Sequence, residues 1–300
     1  MRRKPRLFRA PGADYQIQVI GDRSSPLRDF YHALLRMPWS ATIAVIAVSF
    51  LVVNALFALG FLLTGGVANA HPGSFADAFF FSAQTMGTIG YGAMYPQSTA
   101  ANALVVAEAI AGLTLTALAT GLVFSKFSRS TARVAFTRQA VISPVDGVPT
   151  VMFRMSNERG NQIVDAQVRL VLSRTERTAE GNTFYRMYDL ALTRERIPSL
   201  SRSWTVFHRI VPGSPLYQLT PEKAHEQAVE LGASVVGLDD ITMQTVHASH
   251  RYFGRHILWG ARHRDVLSED AAGDLILDLG KFHDVEPTKP TSEFPYPASD

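Results

Sequence analysis

The chain has 300 residues, 29 of them Lys or Arg and 26 Asp or Glu, with a net charge of +3 and a pI near 9.2. It contains no cysteine, which excludes disulfides, thiolate metal ligands and a thiol redox switch. The basic surplus sits at the amino tail and beside two apolar segments, so it points to membrane lipid and not to nucleic acid.

Residues 1–25 read as an amino-terminal tail carrying Arg2, Arg3, Lys4, Arg6, Arg9 and Arg23. From 26 to 37, Phe30, Leu34 and Met37, with Tyr31 and Leu35 beside them, fall on one helical face, while Arg28, Asp29, His32 and Arg36 fall mostly on the other. That pattern predicts a helix lying along the inner membrane surface, although an extension packed on the next domain has the same periodicity. Pro38 ends it, and Trp39 stands where an interfacial aromatic belongs.

Between Met37 and Ser125 there is no Lys or Arg, and the acids are Asp77 and Glu108 alone. Within that stretch Ala41 to Leu63 is apolar apart from Thr42, Ser49 and Asn54, long enough to cross a hydrocarbon core of about 30 Å. It forms the heart of a first span set at 39–64. Asn102 to Phe127, rich in Ala, Leu, Val and Thr, forms the heart of a second, set at 98–127. Neither has the short apolar core and cleavage site of a signal peptide. Basic residues precede the first span and follow the second (Lys126, Arg129, Arg133), so both termini are expected in the cytoplasm. The same positions, Arg28, Arg36, Lys126, Arg129 and Arg133, are candidate contacts for anionic lipid, or simple positive-inside anchors.

The connection between the spans lies on the far side of the membrane. Its middle, 75–87, is too short for a third crossing and predicts a re-entrant helix with Ser74 as cap and Asp77 completing a Ser-x-x-acid box. Its carboxyl end, the negative end of its dipole, runs into Thr88. Thr88, Ile89, Gly90, Tyr91 and Gly92 follow, and five residues of this kind can replace the water shell of a potassium ion with backbone oxygens. Gly90 and Gly92 take positive φ at little cost, turning successive carbonyls toward one axis. Thr88 adds a hydroxyl at the inner end, while Ile89 and Tyr91 point away to be packed by the surrounding protein. One such segment cannot surround an ion, and the pore segment is not repeated, so four chains are required.

After Arg133 the period becomes two. Val151, Phe153 and Met155 alternate with Met152, Arg154 and Ser156, and Val168, Leu170 and Leu172 with Gln167, Arg169 and Val171. Trp204–Ile210, Ala233–Val236 and Ile241–His247 are further strand candidates, and Pro221–Leu231 reads as a helix capped by Thr220. The region 129–285 is expected to be a mostly antiparallel, immunoglobulin-like β-sandwich, and 286–300, with four prolines, a disordered tail.

Taken together, FFFSAQTMGTIGYG (Phe79 to Gly92), TGLVFSKFSR (Thr120 to Arg129), SWTVFHRI (Ser203 to Ile210), SPLY (Ser214 to Tyr217) and LDLGKFHDVEP (Leu277 to Pro287) resemble the prokaryotic inward-rectifier potassium channels over nearly the whole chain. The resemblance implies a homotetrameric, non-enzymatic potassium channel of the bacterial inner membrane. It has a two-span pore domain at 38–128 continued by a cytoplasmic vestibule, potassium as permeant ion and no cofactor. It also implies a bundle-crossing gate at Phe124. Thr116, Thr120 and Phe124 recur every fourth residue and so share a cavity-facing side of the helix. Gly112 and Gly121 match the family's bending points, although glycine in a membrane helix equally serves close packing. Glu108, the acid of the second span, is expected either to attract ions or to hydrogen-bond near the filter base. Where eukaryotic relatives pair Glu with Arg around the filter, this chain has Gln84 and Met94, and the acid of strong rectifiers is replaced by Thr116. Both the brace and strong rectification are therefore expected to be absent. The resemblance favours control by anionic lipid.

Three other functions have weaker support in the sequence. A zinc site would draw on His247, His250, His256 and His263, but no Cys or carboxylate spacing completes it. Gating by a nucleotide-binding domain would need a glycine-rich fingerprint after Arg133, and none follows. A receptor with a filter-like loop would conduct nothing.

Overall fold

The computed structural model describes residues 6–8, 17–19, 30–128 and 132–288. The chain divides into two compact units, one from Asp22 to Arg129 and one made of Met1–Gly21 with Ser130–Asp300. At the amino end, β1 (Arg6–Phe8) and β2 (Ile17–Val19) pair as an antiparallel hairpin.

The first unit contains α1 (Phe30–Arg36), α2 (Trp39–Thr64), β3 (Val67–Ala68), α3 (Phe75–Met86), β4 (Tyr95–Pro96) and α4 (Thr99–Phe127). Pro38 separates α1 from α2: it adopts an extended conformation as the N-cap, and its carbonyl accepts from the Thr42 amide at 3.1 Å. At 26 and 29 residues, α2 and α4 reach about 39 and 43 Å, more than a bilayer core of about 30 Å needs. α3 has 12 residues, about 18 Å, and cannot cross. α2 buries Thr42, Asn54, Ala58 and Phe61, and α4 buries Ala101, Glu108 and Gly112, a narrow stripe on each. Ile43, Leu51, Leu56, Ile110 and Leu113 are exposed, as suits helices whose solvent is lipid or another membrane helix. α3 lies against α2 through Ala58, Phe61, Ala78 and Phe81, with Leu104 and Val105 of α4 packed on the same cluster and the Phe61 and Phe81 rings edge-to-face at 5.0 Å.

The second unit is a sandwich of two five-stranded sheets. Its strands are β5 (Val134–Phe136), β6 (Ala140–Val145), β7 (Val148–Asn157), β8 (Ile163–Arg177), β9 (Thr183–Leu190), β10 (Arg196–Leu200), β11 (Ser203–Arg209), β12 (Glu230–Asp239), β13 (Thr245–Phe253) and β14 (Ile257–Trp259). One sheet runs β10-β8-β12-β13 with β9 also on β8; the other runs β11-β7-β6-β14 with β5 also on β7. Every pair is antiparallel except β14 with β6. Val168, Leu170 and Leu172 face Val151, Phe153 and Met155 across the core. Outside the sandwich, β15 (Ala261–His263) pairs with β18 (Val285–Pro287), and β16 (Leu267–Glu269) with β17 (Leu275–Leu277).

The alternation predicted along β7 is absent, because nearly every residue from Pro149 to Asn157 is buried: Met152 packs with Val141 and Ala261 on the face away from the sandwich core. The helix predicted to reach Leu231 is α5 (Pro221–Glu226), and Glu230 and Leu231 already belong to β12, whose pairing with β8 outweighs local helix preference. Ile241 and Thr242 form a turn rather than a strand, their amides donating to the Asp239 carboxylate at 3.1 and 2.9 Å. Glu286 and Pro287 belong to β18 and so to the folded domain; residues 289–300 of the expected tail lie outside the described residues.

Two of the histidines weighed for zinc have packing roles. His250 stacks on Phe136 and packs edge-on to Tyr252, and His263 is buried in β15. Among the described residues no three His, Asp or Glu side chains converge as a metal site. His263 is 6% exposed, and burial, reinforced by the Arg154 charge, pushes its pKa down to about 4. The unfolded chain therefore takes up this proton near pH 6.5 and the folded chain does not. Stability from this site is present above pH 6.5 and lost as pH falls toward 4, by roughly 3 kcal/mol at most. Denaturant unfolding of the β-unit's spectroscopic signal in detergent is expected to weaken over that window, and His263→Gln to flatten the slope; an unchanged slope would remove His263 from the account. His208, His250 and His283, also depressed by burial, contribute in the same direction.

Candidate functional site

The segment Thr88 to Gly92 is anchored on both sides. Ser74 caps α3, its hydroxyl accepting from the Asp77 amide at 3.2 Å. The return half of the predicted capping box is not made: the Asp77 carboxylate accepts instead from the His71 amide at 2.8 Å and meets the His71 ring at 2.6 Å. Ser74 N–H is already bonded to the His71 carbonyl, which removes the donor the box required. At its other end α3 passes straight into the filter. The amides of Gly87, Thr88 and Ile89 donate back to the carbonyls of Ala83, Thr85 and Gln84 at 3.0, 3.0 and 2.8 Å. Beyond the filter, β3 pairs with β4, Gln97 N–H reaches the Gly66 carbonyl at 2.7 Å, and the Asn69 side chain donates to the Ala93 carbonyl at 2.7 Å. The five residues are thus tied at both ends.

Between those ties the backbone alternates. φ is +55° at Thr88, +59° at Gly90 and +79° at Gly92, with Ile89 and Tyr91 outside the positive region. In an extended strand successive carbonyls point to opposite sides; placing every second residue in the left-handed region cancels that alternation and brings the carbonyls toward one side. The two glycines adopt the sign expected of them. Thr88 was not anticipated there, because a β-branched residue at positive φ is a strained outlier that costs of order 1–3 kcal/mol. Its amide bond to Thr85 is one of the contacts that holds it.

Thr116, Thr120 and Phe124 are all exposed along α4, Phe124 at 71%. Glu108, grouped with them from the sequence, is elsewhere: it is fully buried where α2, α3 and α4 meet, hydrogen-bonded to Ser82. Asn54 and Ser82, unremarked in the sequence as functional residues, belong to the same cluster. The signal for them was polarity inside otherwise apolar helices. Gly112 is packed, since a Cβ there would sit 2.8 Å from Met86 Cγ, whereas a Cβ on Gly121 would meet nothing within 4 Å in its own chain. Met94 packs beside the Phe61–Phe81 cluster. Of the candidate lipid residues, Arg36 and Arg133 are exposed, and Arg28 and Arg129 lie outside the described residues. Lys126 is engaged within the unit: its ammonium donates to the Met37 carbonyl and, at 2.6 Å, to the Thr42 hydroxyl, and lies 5.3 Å from the Trp39 ring centroid.

Two family models match the chain: "Ion channel" over residues 42–129 and "Inward rectifier potassium channel C-terminal domain" over 134–297. The inward rectifier potassium channel Kirbac3.1 of Paramagnetospirillum magnetotacticum is 44% identical over 94% of this chain and 96% of its own length. The chain belongs to the prokaryotic inward-rectifier potassium channels. Human inward rectifier potassium channel 4 is 31% identical over 71% of this chain, which spans half the length of that relative. The channel is a membrane protein whose two long apolar helices and the segment Thr88 to Gly92 fall within the pore match and whose sandwich falls within the carboxyl-terminal match. It is an ion channel and not an enzyme, which sets aside the reading as a non-conducting receptor.

Proposed function

We propose that four copies of the channel surround one axis and that Thr88 to Gly92 of each supply stacked carbonyl rings, with the Thr88 hydroxyl at the inner end, that replace the hydration shell of K+. The alternating φ signs across the filter, directly after a re-entrant helix, carry this reading. A single chain provides one wall of such a pore and leaves the Tyr91 ring 75% exposed, as expected of a residue covered by its neighbours. K+ is the permeant ion and no cofactor enters. Both termini lie in the cytoplasm of a bacterial cell, in keeping with the basic residues beyond each span.

The gate of this reading is Phe124. It lies near the inner end of α4, three residues before Phe127, whose ring meets Trp39 at 4.5 Å. Four phenyl rings at one level would close the path by excluding water. Anionic lipid modulates the gate through Arg36, Arg28, Arg129 and Arg133, each worth about 1 kcal/mol at a charged surface. Lys126 acts differently, coupling the end of α1 to the end of α4 through the Met37 carbonyl.

Uptake of radioactive rubidium into potassium-loaded liposomes tests the whole. Barium-sensitive uptake that is lost when sodium replaces potassium is expected, and Phe124→Ala is expected to raise it roughly tenfold, the equivalent of about 1.4 kcal/mol off the barrier. Unchanged uptake in Phe124→Ala would move the gate elsewhere.

A further inference from the structure

Three helices meet at a buried polar chain. The Asn54 side chain on α2, Ser82 on α3 and Glu108 on α4 are each fully buried. Asn54 Nδ2 donates to the Phe50 carbonyl at 2.7 Å, which fixes the amide orientation and turns Oδ1 toward Ser82. Ser82 Oγ lies 2.9 Å from Asn54 Oδ1 and is also hydrogen-bonded to Glu108 Oε1. A hydroxyl has one proton, and both neighbours are acceptors if Glu108 is ionised. One of the two contacts would then join two oxygens with no hydrogen between them. Giving Glu108 the proton satisfies both, in the order Glu108 O–H to Ser82, Ser82 O–H to Asn54.

The surroundings agree. Glu108 Oε2 is buried without a partner, tolerable for a neutral acid and costly for a carboxylate. α2 contains no ionisable side chain. The single one on α3, Asp77, is engaged with His71 at the outer end of the helix. On α4 itself Lys126 stands 18 positions away, about 27 Å along the axis, and is taken by Met37 and Thr42. No described cation is placed to hold an ionised Glu108.

We propose that Glu108 is a positioning residue for conduction, held as the neutral acid, whose donor chain through Ser82 to Asn54 fixes the filter-bearing helix between the two spans. This rests on the potassium-channel reading and supplies, inside one subunit, a brace for the filter helix where Gln84 and Met94 replace the charged pair of eukaryotic relatives. It also opposes the ion-attracting role, which requires a charged, accessible carboxylate.

The test uses the full-length channel in liposomes on the Phe124→Ala background, with barium-sensitive rubidium uptake and potassium-over-sodium selectivity as readouts. Glu108→Gln keeps a donor and no charge, and is expected to retain uptake within about twofold, while Glu108→Ala and Ser82→Ala lower uptake or selectivity by about tenfold or more. On moving from neutral to alkaline buffer, uptake is expected to fall with Glu108 present and to stay level in Glu108→Gln. That pH contrast decides the matter even if an alanine variant fails to assemble. Loss in Glu108→Gln equal to that in Glu108→Ala, or identical pH profiles for Glu108 and Gln, would overturn the proposal. Absence of barium-sensitive uptake in the Phe124→Ala parent would instead overturn the channel reading beneath it.

Discussion

Gly90→Ala is expected to abolish potassium-selective flux while leaving the protein inserted and folded. Gly90 has a φ of +59°, and a Cβ built on it meets no heavy atom of its own chain within 4 Å, so the obstacle is the backbone conformation and not a steric clash within the chain. An L-residue in the left-handed region costs roughly 1–2 kcal/mol, and in the proposed tetramer four copies multiply that to about 4–8 kcal/mol in a single ring. The filter escapes the cost by returning residue 90 to negative φ, which turns the carbonyl away from the ion. The substitution touches none of the buried clusters, so the unfolding midpoint is expected to hold. Rubidium uptake, potassium-over-sodium selectivity and thermal unfolding, measured together, check this. Retained uptake with unchanged selectivity would show that carbonyl orientation at Gly90 is not what selects the ion.

What the sequence made legible was whatever one segment decides for itself. Two long apolar runs mark the spans because a bilayer tolerates little else, and the apolar stretch before Thr88 is too short for a third crossing. Glycine at 90 and 92 announced its own φ. Thr88 did not, because β-branched residues argue against positive φ, and there the ties from α3 override local preference. The partners of Asp77 and Glu108 were equally hidden. His71 and Ser74 are both near Asp77 in sequence, and only the loop geometry shows that His71 takes the carboxylate. Asn54, Ser82 and Glu108 are separated by 28 and 26 residues and converge only when three helices pack. In the sandwich, alternation located the strands but failed along β7, since the outer face of that strand is covered by residues such as Ala261, from a segment more than 100 positions away.

The two glycines of α4 separate packing from bending, and their substitution is expected to give opposite signs of stability. In Gly112→Ala the new methyl would lie 2.8 Å from Met86 Cγ and 3.2 Å from the Met86 carbonyl. Met86 cannot yield easily: it is 6% exposed and its sulfur accepts from Asn54 Nδ2 at 3.4 Å. It is also the last residue of the filter-bearing helix, so the displacement passes to Gly87 and Thr88. Overpacking of this kind costs about 1–3 kcal/mol, and flux is expected to fall about tenfold or more with selectivity degraded. Gly121→Ala meets nothing within its own chain, and replacing glycine inside a helix contributes about 0.5–1 kcal/mol of stability. If α4 opens by bending at Gly121, that stiffening lowers open probability and leaves selectivity intact, because Thr88 to Gly92 lie about thirty residues earlier in the chain and are tied to α3. Thermal unfolding, flux and selectivity of the two variants place each residue. Destabilisation in Gly121→Ala comparable to Gly112→Ala would mean that a neighbouring helix packs on Gly121 in the assembly, and the bending role would then pass to no residue of α4.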